Sequence, residues 1–180
     1  SGNIGTSNCN IPFFRLTDAY FIKAECLLRL GGYKDETEQD AADIVTMIRK
    51  RAFKDNPEKA VRTVAQLKGG SVYDYGLRET QGDVVDGELT NVVNTTTHEG
   101  GADILLGGLL DDLAWEFVYE HHRRQDLIRF KMTNGCNVFN GKSWFGKSAI
   151  TNPNDHHFDI FPILRDNLQA NPNLVQNPGY

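Results

Sequence analysis

The chain has 180 residues, 39% of them hydrophobic and 24% charged, which suffices for one ordinary core and is unlike a disordered, collagenous or membrane-spanning composition. A formal charge of -5 and an isoelectric point near 5.5 exclude a phosphate-tracking surface, because nucleic-acid binders carry a basic stripe that releases counterions. The basic runs Arg49-Lys50-Arg51 and Arg123-Arg124 are short, fall on expected helices and read as solvated or ion-paired faces.

The opening Ser1-Gly2-Asn3-Ile4-Gly5 has neither a basic nor an apolar leader region, so no secretion signal is expected in this chain; a longer precursor would already have lost it. Residues 1–12 read as an N-terminal extension. Over 13–55 a helix pair is expected. Leu16, Tyr20, Ala24 and Leu27 form one face at spacings of three and four, and Gly31-Gly32 is a double stop. Thr37 with Asp40 resembles a capping box, followed by Ala41, Ile44, Val45, Ile48 and Ala52 at helical period. The short connector predicts antiparallel packing, the look of one tetratricopeptide-like unit.

Residues 56–101 read as a long loop insert, rich in Gly, Asp, Asn and Thr. A long helix is expected over 102–131, with Leu106, Leu109, Leu113 and Phe117 as its core stripe. Trp115 and Val118 would form a second apolar flank, so the helix should be sandwiched. Residues 132–180 read as a loop segment wrapping back over the helices. The expected fold is mainly α, a single region with tetratricopeptide-like helix pairs and long irregular loops.

Three groups of residues then look familiar as a set. Glu116-Phe117-Val118-Tyr119-Glu120-His121-His122-Arg123-Arg124-Gln125-Asp126-Leu127-Ile128-Arg129 resembles the E-[LF]-x-x-E-G-x-R-x-x-D-L-x-R signature of the SusD/RagB family. Arg15-Leu16-Thr17-Asp18-Ala19-Tyr20-Phe21-Ile22-Lys23-Ala24-Glu25 resembles that family's R-x-x-[DE]-x-Y-L-x-x-A-E-A stretch. Phe161-Pro162-Ile163 and Asn171-Pro172-Asn173-Leu174-Val175-Gln176-Asn177-Pro178-Gly179-Tyr180 are similar to its closing motifs. Departures are His121 in place of Gly, Asp112-Leu113 in place of Glu-Arg, and Leu164 in place of Pro. The resemblance implies the C-terminal region of a longer surface lipoprotein of the outer membrane in Bacteroidetes-type bacteria. Such a protein binds an oligosaccharide and serves a SusC-like TonB-dependent transporter. Its further partner would be the N-terminal half of the same protein, and its membrane contact a lipid anchor absent from this chain.

Glu116 and Glu120, one turn apart on one expected helix face, have the spacing a glycosidase needs, about 5 to 10 Å. Arg123 and Arg124 follow Glu120 by three and four residues, and Arg129 follows Asp126 by three, so these six read instead as ion pairs along one helix. No catalytic residue is expected, since a catalytic carboxylate is poised by burial or a neighbouring charge and not neutralised by arginines. His121-His122 and His156-His157, with Asp155 and Asp159, lack metal-ligand spacing. Cys9, Cys26 and Cys136 form no CxxC pair, and Cys26 reads as a buried, inert residue. The glycine pairs Gly69-Gly70, Gly100-Gly101 and Gly107-Gly108 lack a phosphate-cradling pattern. No metal, cofactor or nucleic acid is expected.

Sugar recognition needs aromatic faces beside hydroxyl-binding polar groups. The loops offer Tyr73, Asp74, Tyr75 and Arg78, and Trp144 with Phe145. Tyr73, Tyr75, Arg78 and Trp144 are the expected glycan contacts; the alternative is that these aromatics anchor their loops on a scaffold that binds a protein partner.

Overall fold

The computed structural model describes residues 13–144 and 147–180, so the extension at 1–12, Cys9 and Phe145 lie outside the described residues. Among these the regular structure is α-helices and short 3₁₀ turns with one two-stranded hairpin. It divides into two compact units, the first comprising residues up to Ala65 with Asp112–His122, the second Gln66–Asp111 with Arg123–Tyr180.

In the first unit, α1 spans Leu16–Leu30 and ends at Gly31, which adopts φ 76° while Gly32 N–H bonds back to the Leu27 carbonyl at 2.9 Å. A residue without Cβ takes this left-handed cap at little cost. α2 spans Glu38–Arg49 and opens on the expected capping box. Thr37 N–H donates to Asp40 Oδ2 at 2.6 Å, and Thr37 Oγ1 accepts from Gln39 N–H at 3.2 Å. The Thr37 backbone donor holds the Asp40 carboxyl below the usual carboxylate range.

The two helices pack on each other and bury Phe21, Ala24, Leu27 and Leu28 with Ala41, Ala42, Val45 and Ile48. Each large aliphatic or aromatic side chain so buried contributes about 1.5–3 kcal/mol. The face of α1 differs from the expected one, because Phe21, Ala24 and Leu28 set it; Leu16 and Tyr20 point to water, and Cys26 is exposed, not buried.

The region 102–131 is not one helix. α4 spans Gly107–Glu116, a turn follows, and α5 spans Arg123–Arg129. Tyr119 and His121, neither of them glycine, hold φ of 63° and 64° there. Such left-handed residues cost roughly 1–2 kcal/mol each and cannot continue a helix. Leu106, Leu109, Leu113 and Phe117 are buried as expected, but Trp115 and Val118 are exposed, so the second flank is not sandwiched. Within the first unit Trp115 instead lies beneath the guanidinium groups of Arg49 and Arg62, 5.2 and 5.3 Å from its ring centre.

The stretch 56–101 is not structureless. It holds a 3₁₀ turn at Pro57–Ala60, α3 at Val64–Lys68, and strands β1 (Arg78–Val85) and β2 (Glu88–Thr96), paired antiparallel. Asp86 and Gly87, at φ 53° and 85°, make the two-residue turn whose twist matches such strands. In the second unit the start of α4 lies against Gln66–Ser71. A Cβ on Gly107 would stand 2.0 Å from Ser71 N, so close approach is the use of this glycine pair.

The C-terminal segment is mostly irregular, with α6 at Val138–Gly141 and α7 at Arg165–Ala170. Its two motifs close on each other. Gln176 accepts from Ile163 N–H at 2.8 Å and donates to the Ile163 carbonyl at 2.9 Å, and Asn177 Nδ2 donates to the Phe161 carbonyl.

Candidate functional site

The six side chains expected to pair along one helix separate into three arrangements. In the first unit Arg15 takes both glutamates: Nη1 reaches Glu116 Oε1 at 2.8 Å, Nε reaches Glu120 Oε2 at 2.8 Å, and Nη2 reaches Glu120 Oε1 at 2.9 Å. Nη2 also donates to the Glu116 carbonyl at 3.0 Å, one of the carbonyls that a helix leaves unpaired at its C-terminus. Glu120, with Glu116, raises the Arg15 guanidinium further above its ordinary value. Arg51 joins Glu116 from the other side. Asp112 is buried between Arg49 Nη1 at 2.5 Å and Arg62 Nε at 2.8 Å.

Asp126 and Arg129 pair with each other at 2.9 Å. In the second unit Arg123 donates to the Leu110 carbonyl and to Tyr75 Oη at 2.9 Å, and Arg124 donates to the Phe158 and Asp159 carbonyls. Neither pairs with Glu120 among the described residues; each is drawn to oxygen atoms far away in sequence, which helical spacing cannot reveal.

The expected glycan contacts all fall in the second unit. Asp111, buried, pins the start of their segment by accepting from Ser71 Oγ at 2.5 Å and Val72 N–H at 2.8 Å. Tyr75 then turns inward and is only 5% exposed. Its ring meets Tyr73 edge-on at 6.4 Å and Trp144 edge-on at 5.7 Å. Trp144 is half-buried, donates its indole N–H to the Phe139 carbonyl at 2.7 Å and stacks on the Phe139 ring at 6.2 Å. Tyr73 keeps 37% of its surface open, with the Arg123 guanidinium 5.9 Å from its ring centre.

The structure thus joins Tyr73, Tyr75 and Trp144 in one cluster whose middle member is a buried pillar. Arg78 stands outside it, as a clasp at the base of the hairpin. It donates to the carbonyls of Leu77 and Thr97 and to Asp74 Oδ2. His98 shares that Asp74 oxygen at 2.5 Å, and Gly100 N–H reaches Oδ1 at 3.2 Å. The His98 hydrogen bond is the main cause that lowers the Asp74 carboxyl from its ordinary value, so it is an ionised acceptor at neutral pH.

What this surface can do is bounded by its chemistry. A half-open tyrosine face, next in the chain to the ionised Asp74 carboxylate that Arg78 and His98 hold, suits a ligand with apolar faces and hydroxyl edges. Among the described residues no three of His, Cys, Asp and Glu converge as metal ligands, and no helix is long and apolar enough to cross a membrane. The buried pillar and the Arg123 bond to Tyr75 were hidden from sequence reading; the Asp86-Gly87 turn was the one local signal of the hairpin beside them.

Comparison with known proteins matches residues 1–180 to the SusD family. The chain is 27% identical over 173 residues to "Starch-binding protein SusD" of Bacteroides thetaiotaomicron, covering 95% of this chain and 22% of that protein. It is 28% identical over 171 residues to "SusD-like protein P25" of Formosa agariphila, covering 93% of this chain and 24% of that protein. The chain spans about a quarter of the length of these curated relatives. No solved structure matches it significantly. Two of the resembling motifs also meet in space, through Arg15 on one side and Glu116 with Glu120 on the other. With the match along all 180 residues, the chain belongs to the SusD family.

Proposed function

We propose that this chain is part of a cell-surface protein that captures an oligosaccharide without cleaving it and delivers it to a TonB-dependent outer-membrane transporter. The observation that carries this reading is the part-open Tyr73 ring, backed by Tyr75 and Trp144, with Asp74 next to it in the chain held by Arg78 and His98. The name of one relative, a starch-binding protein, supports the ligand class. In this reading Tyr73 and the open edge of Trp144 touch the sugar, while Tyr75 and Arg78 hold their loops in place. The protein is anchored by lipid on the outer face of the outer membrane, and α1 with α2 forms one tetratricopeptide-like unit of its frame.

Hydrolysis is disfavoured on physical grounds. Glu116 and Glu120, the carboxylates best spaced for it, both accept from Arg15, and a carboxyl so neutralised is a poor acid or nucleophile. The test is calorimetric titration of the intact protein with a glycan panel beside Tyr73→Ala and Trp144→Ala, with reducing-sugar release followed in parallel. Binding that weakens in either variant, without product, is the expected result.

A second reading has its own observation. Tyr75 is buried and Arg78 is engaged with backbone, as in a helical scaffold that binds a protein partner through other surfaces. Failure of every glycan to bind a folded protein would select it.

A further inference from the structure

The second unit carries an open cleft of about 430 Å³, lined by Asn152, Asn154, Asp155 and His156 together with Ile160 and Pro178. That volume lies within the range of small-ligand sites, roughly 300–1,000 Å³. The backbone of its polar segment and the Asn152 side chain are held before any ligand arrives. Asn152 Oδ1 accepts from Asn154 N–H at 3.1 Å, the Asn152 carbonyl accepts from Asp155 N–H at 3.1 Å, and Asn140 Nδ2 holds the Asp155 carbonyl at 3.0 Å.

The His156 imidazole is oriented as well. Its Nδ1 lies 3.0 Å from Asp159 Oδ2, and Asp159 Oδ1 accepts from Asn137 Nδ2 and Asn140 Nδ2. The Asp159 carboxylate takes Nδ1 and leaves the second ring nitrogen, Nε2, for a ligand hydroxyl. The apolar part is tied down by Tyr180, whose hydroxyl donates to the Ile160 carbonyl at 3.1 Å and whose ring meets Phe158 edge-on at 6.5 Å. That tyrosine ring, next in the chain to a lining residue, is half exposed.

The lining selects among ligand classes. Among the described residues no Lys or Arg lines the cleft, so phosphate and sulfate find no Lys or Arg counter-charge there; Asp155 repels anions further. Ile160 and Pro178 are too little apolar surface for a lipid chain. Amides, a carboxylate and an imidazole beside a small apolar patch match a pyranose, with its hydroxyl edge and C–H face.

We propose that this cleft is a second carbohydrate subsite, separate from the Tyr73 surface and selective for neutral over carboxylated or sulfated sugars. It rests on the capture reading and extends it. The test combines two measurements on the intact protein. The first is calorimetry with neutral oligosaccharides (maltoheptaose, cellohexaose, xylohexaose, mannohexaose) and with oligogalacturonate, for wild type, Asn154→Ala and His156→Ala. The second is hydrogen exchange of the wild type with and without saturating sugar.

The expected results are a loss of affinity of about fivefold to tenfold for a neutral sugar in each variant, the scale of one lost hydrogen bond. Slowed exchange at 152–156 should accompany wild-type binding, and oligogalacturonate should bind more weakly than the neutral sugar. If the wild type binds a sugar while both variants keep its affinity and exchange at 152–156 is unchanged, the cleft is overturned and the capture reading stands. If folded wild type binds none of the panel, both fall. Hydrogen exchange needs no mutant, so a variant that fails to fold leaves the proposal decidable.

Discussion

Asp112 in the first unit and Asp74 in the second are both aspartates held by an arginine and one more basic side chain, yet they belong to different physical regimes. The Asp112 side chain is 1% exposed between Arg49 and Arg62, whereas that of Asp74 is 44% exposed between Arg78 and His98. Water competes for Asp74 and is excluded from Asp112, so similar hydrogen-bond lists describe a strut in one unit and an adjustable clasp in the other.

The sharpest way to test that contrast is Asp112→Ala. It strands two arginines around a buried site and is expected to lower unfolding free energy by about 3–5 kcal/mol, measured by urea denaturation. Arg15→Ala comes next. Glu116 and Glu120 would lose their shared donor at a site about three-quarters buried, with an expected loss of about 2–3 kcal/mol. If either variant unfolds at the wild-type midpoint, these clusters are ornaments of the fold and the contrast collapses.

Effects in the exposed regime should be smaller and should respond to solvent. His121→Gly relieves a left-handed residue at the position where the resembling motif has Gly, and is expected to raise stability by about 0.5–1 kcal/mol, read as a higher melting temperature. Asp74→Asn should shift the midpoint less than any of these, and the shift should vanish in about 1 M salt, where the screening length is about 3 Å. Its pH signature has a definite sign. A carboxyl lowered by folding stabilises above its unfolded value, about 3.9, and that stability is lost as pH falls through the lower folded value. Wild type should therefore lose stability below about pH 4, and Asp74→Asn should lose less over the same window.

What was legible in the sequence follows the same divide between local and distant. The Gly31-Gly32 stop and the Thr37–Asp40 capping box are chemistry within a few residues, and both formed as read. The partners of Arg15 lie 101 and 105 positions away, so no periodicity could point to them. The break of the third helix has no Gly or Pro to mark it; its only sign was that His121 replaces the Gly of the resembling motif. α1 has apolar residues on more than one side, so choosing Leu16 and Tyr20 over Phe21 and Leu28 was a choice its partner helix made differently. The hairpin escaped because its valines are exposed, and alternation identifies a strand only when one face is buried.

Of the candidate contacts, proximity of Tyr73 to Tyr75 is written in the chain, but the inward turn of Tyr75 is not. It depends on Arg123 and Trp144, which arrive from distant segments. Residue types could propose an aromatic surface; only packing could decide which ring faces water.

The hairpin has one more consequence, for proteolysis. Its strands are almost wholly open to water, yet after Arg78 the next lysine or arginine in the sequence is Arg123. A protease that cuts after lysine or arginine therefore finds no bond to cleave in this exposed arm beyond Arg78 at its base, while one that cuts after glutamate meets Glu88 directly beside the turn.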